Sequence, residues 1–83
     1  MDVKVLGTGC AKCKLLFAEA EKAVTASGLP AALGKVEKLD EIMQYGVLMT
    51  PALVIDGEVK CAGRIPKAAE IVTWMMNAAM KNG

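Results

Sequence analysis

Apolar and polar positions change rhythm several times along this chain. Val3 and Val5 alternate with Lys4 and run into Leu6, which predicts a short strand over residues 3–6. From residue 11 to about residue 27 the spacing becomes helical. Cys13, Leu16, Phe17, Ala20 and Val24 share one face, while Lys12, Lys14, Glu19, Glu21 and Lys22 fall elsewhere. Gly28 and Pro30 stop that helix. A second strand is expected over residues 31–37, with Gly34 and Lys35 spoiling its alternation. Asp40 then caps a short helix through Tyr45, ended by Gly46. Two apolar runs, residues 52–55 and 58–62, flank Asp56-Gly57, a hairpin signal because both turn positions need positive φ. The last helix is expected to open at Pro66, where a missing N–H costs nothing. It should bury Ala69, Val72, Met76 and Trp74, with Ala68, Ile71, Met75 and Ala79 on a broad apolar side. The predicted order is β-α-β-α-β-β-α, one α/β domain over residues 1–83.

Composition narrows the class. An apolar fraction of 54% with 23% charged residues describes a globular chain. A formal net charge of +1, without a block of Lys or Arg, points away from nucleic acid and from anionic membranes. The uncharged stretches 46–55 and 71–80 are too short to span a bilayer. The first residues carry Asp2 and Lys4 and then glycines, unlike a secretory leader, so a cytoplasmic protein is expected. In that reducing compartment a Cys-x-x-Cys pair is a catalytic or metal-binding device rather than a structural staple.

Such a pair stands where the first strand gives way to the first helix, in Gly7-Thr8-Gly9-Cys10-Ala11-Lys12-Cys13. A helix begins with free N–H groups and the positive end of its dipole, so a thiolate at Cys10 is stabilised and nucleophilic near neutral pH. Lys12 and Lys14 add positive charge, screened where exposed, and Gly9 and Ala11 flank the sulfur. Cys13 lies about one turn on, along the buried stripe, close enough to close a disulfide. The two sulfurs should therefore be unequal, Cys10 attacking a substrate disulfide and Cys13 resolving the mixed disulfide.

A second reading keeps the same pair as a Cu(I) or other soft-metal carrier. A carrier of the heavy-metal-associated type would end in a strand, whereas this chain is predicted to end in a helix. With no histidine and three cysteines, a closed structural zinc site is not expected. Alternation puts Cys61 on the same face of its strand as Val59, so it reads as a small buried residue, with a third redox or metal thiol as the other possibility. Met43, Met75, Met76 and Met80 read as flexible core filler, and Met49, beside Thr50-Pro51, as lining for a substrate groove. The first strand shows no obvious buried acid to relay a proton, so resolution by Cys13 is left to water or a neighbouring charge.

The element order, the Cys-x-x-Cys after the first strand, and Gly46-Val47-Leu48-Met49-Thr50-Pro51 before the third resemble the thioredoxin fold. With Ala62-Gly63-Arg64-Ile65-Pro66, the chain looks most like the small glutaredoxin-sized, redox-active disulfide proteins of bacteria and archaea. That resemblance implies a minimal thioredoxin fold, a four-stranded mixed sheet flanked by three helices. It implies a protein-disulfide reductase with Cys10 as nucleophile, Cys13 as resolving thiol, and Pro51 as a cis-proline facing them. Thr50 would pair its backbone with an extended substrate. No cofactor is implied beyond the Cys10–Cys13 disulfide. The partners implied are protein disulfides and a thioredoxin reductase-like flavoenzyme or another thiol donor, with the protein a monomer. The larger thioredoxins carry Trp where Gly9 stands, and glutaredoxins carry a Gly-Gly and acidic pair where Ala62-Gly63-Arg64 stands. Use of glutathione is thus left open, and Arg64 reads as a solvated residue near the final helix.

Overall fold

A computed structural model of the chain describes residues 1–82. It contains β1 (Asp2–Leu6), α1 (Ala11–Ser27), β2 (Ala32–Val36), α2 (Leu39–Gln44), β3 (Ala52–Ile55), β4 (Glu58–Ala62) and α3 (Ala68–Asn82). The strands form a mixed sheet in the order β2-β1-β3-β4, with β1 and β2 parallel and the other two pairings antiparallel. This is the order that the sequence pattern predicts and the minimal thioredoxin fold that the resemblance implies.

The pleat sorts β3 between two cores, which is why all four of its residues are apolar and buried. Leu53 and Ile55 join Val3 and Val5 against Leu16, Ala20 and Ala23 of α1 and Ile71, Met75 and Ala78 of α3. Ala52 and Val54 face the other side, where they meet Leu6 and Ile42 of α2. Truncating a side chain so placed, such as Leu53, costs about 2–5 kcal/mol.

Register carries the site. Leu6 is opposite Val36 on one side and Ala52 on the other, and Ala52 is opposite Ala62. The four strands therefore end or begin in one row. The segments just beyond that row, from Gly7, Glu37, Thr50-Pro51 and Gly63, gather at one end of the sheet.

Several local expectations need correction. The second strand stops at Val36, and α2 takes Lys38 as its N-cap position with no side-chain cap. Asp40 instead lies in the first turn beside Glu41, where a carboxylate still complements the helix dipole. Helix α3 begins at Ala68, and Pro66 is buried in the approach to it. The Glu19 carboxylate of α1 accepts the Ala68 N–H at 3.3 Å, so one helix caps the next. Ile71, Met75 and Ala78 are the buried residues of α3, whereas Ala69 and Met76 are exposed. With apolar residues almost all round this helix, the pattern does not select a single stripe.

The correction at Cys61 is larger. Leu53 pairs with Cys61 and Val54 with Val59, leaving Lys60 as the extra residue of a β-bulge. Val59 packs in the α2-side core and Cys61 against the α1/α3-side core. The bulge thus breaks the alternation that placed both on one face.

Candidate active site

The Cys-x-x-Cys segment is built from its backbone upward. Gly7 donates its N–H to the Val36 carbonyl at 3.0 Å, tying the loop after β1 to the end of β2. A Cβ at Gly7 would collide with Cys13 Sγ, so only glycine lets the strand pass this close to the second cysteine. Gly9 then turns with φ of 91°, in the region that favours glycine. Cys10 is extended, with φ of −69° and ψ of 166°, and occupies the N-cap position of α1. Its carbonyl accepts the Lys14 N–H at 3.1 Å, the first turn of the helix.

Cysteine thus takes a position usually held by Ser, Thr, Asp or Asn, and its sulfur does the capping. Cys10 Sγ accepts the Cys13 backbone N–H at 3.2 Å. The sulfur lies at the focus of the helix N-terminus, with no acidic side chain in the first turn to oppose it. Cys10 and Cys13 are paired as a disulfide, their Cα atoms 5.1 Å apart. Cys10 is exposed, while Cys13 is only 6% exposed, beneath it in the buried stripe of α1. An outside disulfide can reach one sulfur and not the other. Lys12, Ala11 and Lys14 are exposed around the turn.

Thr50-Pro51 lies at the same end of the sheet, immediately before Ala52, the register partner of Leu6. The Thr50–Pro51 peptide bond is cis. Pro51 is buried and its carbonyl accepts the Gly63 N–H at 2.8 Å. Thr50 is exposed. Met49, 61% exposed, lies against Gly63, where an added Cβ would sit 2.9 Å from its Cε. Leu48 beside it is fully exposed at 100%. An apolar shelf therefore stands at the sheet end from which the reactive loop also departs.

The remaining candidates separate from this cluster. Cys61 is half-buried, and burial pushes its thiol above the ordinary range, partly offset by the Arg64 cation. Arg64 is not simply solvated. It forks onto Glu70 at 3.2 and 2.7 Å and lies over the Trp74 ring at 5.7 Å. That bidentate bond holds the Glu70 carboxyl below its usual range. Among the described residues no group of three or more His, Cys, Asp or Glu is placed to hold a metal ion.

Sequence reasoning passed over one neighbour. Glu37 follows β2 directly, and its carboxylate lies over Gly9, where an added Cβ would sit 3.5 Å from Oε2. The only available signal was the parallel pairing of β1 with β2, which local pattern does not reveal.

A capping, exposed sulfur over a buried partner, on a sheet wound in this order, defines a thioredoxin-fold redox protein. The chain matches the thioredoxin domain family over residues 1–76 and belongs to it. It is 38% identical to a thioredoxin of Methanothermobacter thermautotrophicus over 71 residues, covering 86% of this chain and 92% of that one. It is 35% identical to a thioredoxin of Methanocaldococcus jannaschii over 69 residues, covering 83% and 79% of the two chains. Thiol–disulfide exchange is the chemistry of this class, and Cys10 and Cys13 are the pair placed to carry it.

Proposed function

We propose that the protein reduces protein disulfides, with Cys10 as attacking thiolate and Cys13 as resolving thiol. The observation that carries this is the Cys13 N–H donated to Cys10 Sγ at the start of α1. A donor aimed at the sulfur favours the anion over the thiol, and the anion is the nucleophile. Lys12 adds cationic charge, and Gly9 and Ala11 keep the approach to the sulfur free of bulk. In the first step Cys10 S⁻ attacks one sulfur of the substrate disulfide, and the other sulfur leaves as thiolate. Cys13 then attacks Cys10 Sγ, forming the Cys10–Cys13 bond and releasing the second substrate thiol. The substrate gains two electrons and the pair loses two.

Thr50 and Pro51 form the docking edge in this reading, with Met49 as apolar wall. Exposed Thr50 leaves backbone groups for an extended substrate segment to pair with, a form of strand addition. The disulfide is the only redox group the reaction needs. A flavoenzyme reductase or another thiol donor would regenerate the dithiol, and the protein would act as a monomer in a reducing, cytoplasmic setting. No helix among the described residues is long and apolar enough to cross a membrane.

Insulin reduction driven by dithiothreitol tests this reading. The wild-type protein should accelerate it, and Cys10→Ser should not. Cys13→Ser should accumulate a mixed disulfide, whose partner in a cell extract can then be identified. A wild-type protein that is inert here but binds Cu(I) tightly through the same two sulfurs would establish the carrier reading instead.

A further inference from the structure

Strand β4 ends at Ala62, and no regular element follows until α3 begins at Ala68. Residues 63–67 between them reach the docking edge through Gly63. Its N–H donates to the Pro51 carbonyl at 2.8 Å, and Met49 folds over it into the space a side chain would fill. An added Cβ would sit 2.9 Å from Met49 Cε and 3.2 Å from Met49 Cβ. Gly63 turns the chain with φ of 81°. The set of that turn therefore decides where the Pro51 carbonyl and the Met49 side chain stand.

Two side-chain contacts hold the segment after the turn. At its far end Glu19 of α1 accepts the Ala68 N–H at 3.3 Å. At its near end Arg64, directly after Gly63, forks onto Glu70 of α3 at 3.2 and 2.7 Å and lies 5.7 Å from the centre of the Trp74 ring. With side chains 53% and 41% exposed, such a pair contributes little to stability. A planar guanidinium held by two parallel bonds and a ring is nevertheless fixed in direction as well as in charge. Its contribution is orientation. The partners of Arg64 are Glu70 and Trp74, not the redox pair.

We propose that Arg64, clamped by Glu70 and Trp74, is a positioning residue for substrate docking: it fixes the Gly63 turn on which Pro51 and Met49 rest. This role rests on the dithiol-exchange reading above and concerns its binding step alone. With the clamp open, the Gly63 N–H and the Pro51 carbonyl separate more often, and an extended substrate must order the edge as it binds. Cys10 keeps its backbone donor at the start of α1, so the chemical step is untouched.

The test compares a disulfide set in a chain with one that has no chain. Insulin reduction at saturating dithiothreitol gives KM and kcat for the first. The rate with 4,4′-dithiodipyridine, a small neutral disulfide, reports Cys10 without the edge. Arg64→Gln should raise the insulin KM about threefold to tenfold and leave kcat and the small-disulfide rate within about twofold of wild type. Glu70→Ala should raise KM by the same factor, and the double variant should be no worse than either single one, because all three open one clamp. Arg64→Lys, which keeps the charge and loses the fork, should not restore KM. Amide exchange at Gly63 should quicken in Arg64→Gln and in Glu70→Ala. An unchanged KM or an unchanged Gly63 exchange in Arg64→Gln overturns the role. So does a wild-type KM in Glu70→Ala, which would mean that Arg64 touches the substrate itself. Recovery of KM by Arg64→Lys would make charge rather than geometry the cause, and a matching fall in the small-disulfide rate would mean general loss of the site; either overturns it. If the wild-type protein does not reduce insulin, the dithiol-exchange reading fails instead.

Discussion

The chain holds two kinds of cysteine site, and their contrast shows what the fold does to a thiol. Cys10 terminates a helix, is open to solvent, and receives a backbone N–H at its sulfur. Cys61 lies within β4, half-buried against the α1/α3-side core, with its thiol pushed up by burial. The element in which each residue is set decides the outcome. At a helix N-terminus the spare backbone donors favour the anion, whereas in a strand those donors are engaged in the ladder and burial favours the neutral thiol. Cysteine count alone cannot separate them.

The largest expected effect breaks the comparison at Cys10 itself. Cys10→Ser should lower disulfide reduction by at least about a thousandfold, because no other group takes over as nucleophile. Serine is a good N-cap and can accept the same N–H, so the fold should survive, as circular dichroism would show. Cys61→Ser should leave the turnover within about twofold of wild type. A large loss in Cys61→Ser with intact structure would give the third cysteine a chemical part.

Next in size is the difference in intrinsic reactivity. With reduced protein near neutral pH, iodoacetamide should label Cys10 roughly a hundredfold faster than Cys61, the ratio expected when one thiol is largely ionised and the other is not. Cys13 should lag behind Cys10 because it is covered. The sign of the pH dependence follows from burial. Cys61, with its thiol raised, stays protonated through neutrality and should gain reactivity only above the ordinary thiol range. Peptide mapping by mass spectrometry reads all three rates from one sample, and equal rates would remove the helix-terminus explanation.

A smaller effect concerns how each sulfur is accommodated. Gly7→Ala places a methyl group on Cys13 Sγ, so the loop or α1 must shift. The expected cost is about 1–3 kcal/mol, read as a lower midpoint in urea unfolding. Cys61→Ala, at a half-buried position, should cost less than Gly7→Ala. The reverse order would mean that Cys61 supports the core more than its burial indicates.

Much of this was legible because it is local. Asp56-Gly57 specified its hairpin, and both residues have positive φ, 49° and 81°. The period of α1 put Cys13 in the buried stripe and left Cys10 outside it. What escaped depends on pairing between distant segments. Glu37 reaches Gly9 only because β1 and β2 are parallel and in register at Leu6 and Val36. The bulge at Lys60 reverses the facing of Cys61 relative to Val59, and no residue type there announces it. Arg64 finds Glu70 because the Glu70 turn of α3 returns beside the end of β4, a spacing set by packing rather than by pattern.

That last pair provides the finest test of the Cys61 environment. Arg64 lowers the Cys61 thiol and Glu70 raises it, and both effects are weaker than burial. Arg64→Gln removes the cation that favours the thiolate, so the thiol rises further and labelling at a fixed alkaline pH should slow. Glu70→Gln removes the opposing anion and should speed it. Both shifts should be about threefold or less and should shrink as salt is added, because the charges are exposed and screened. The Cys10 rate, set by the backbone donors at the start of α1, should not move in either variant. If both substitutions shift Cys61 in the same direction, loosened packing rather than charge is responsible, and burial alone separates the two cysteine sites.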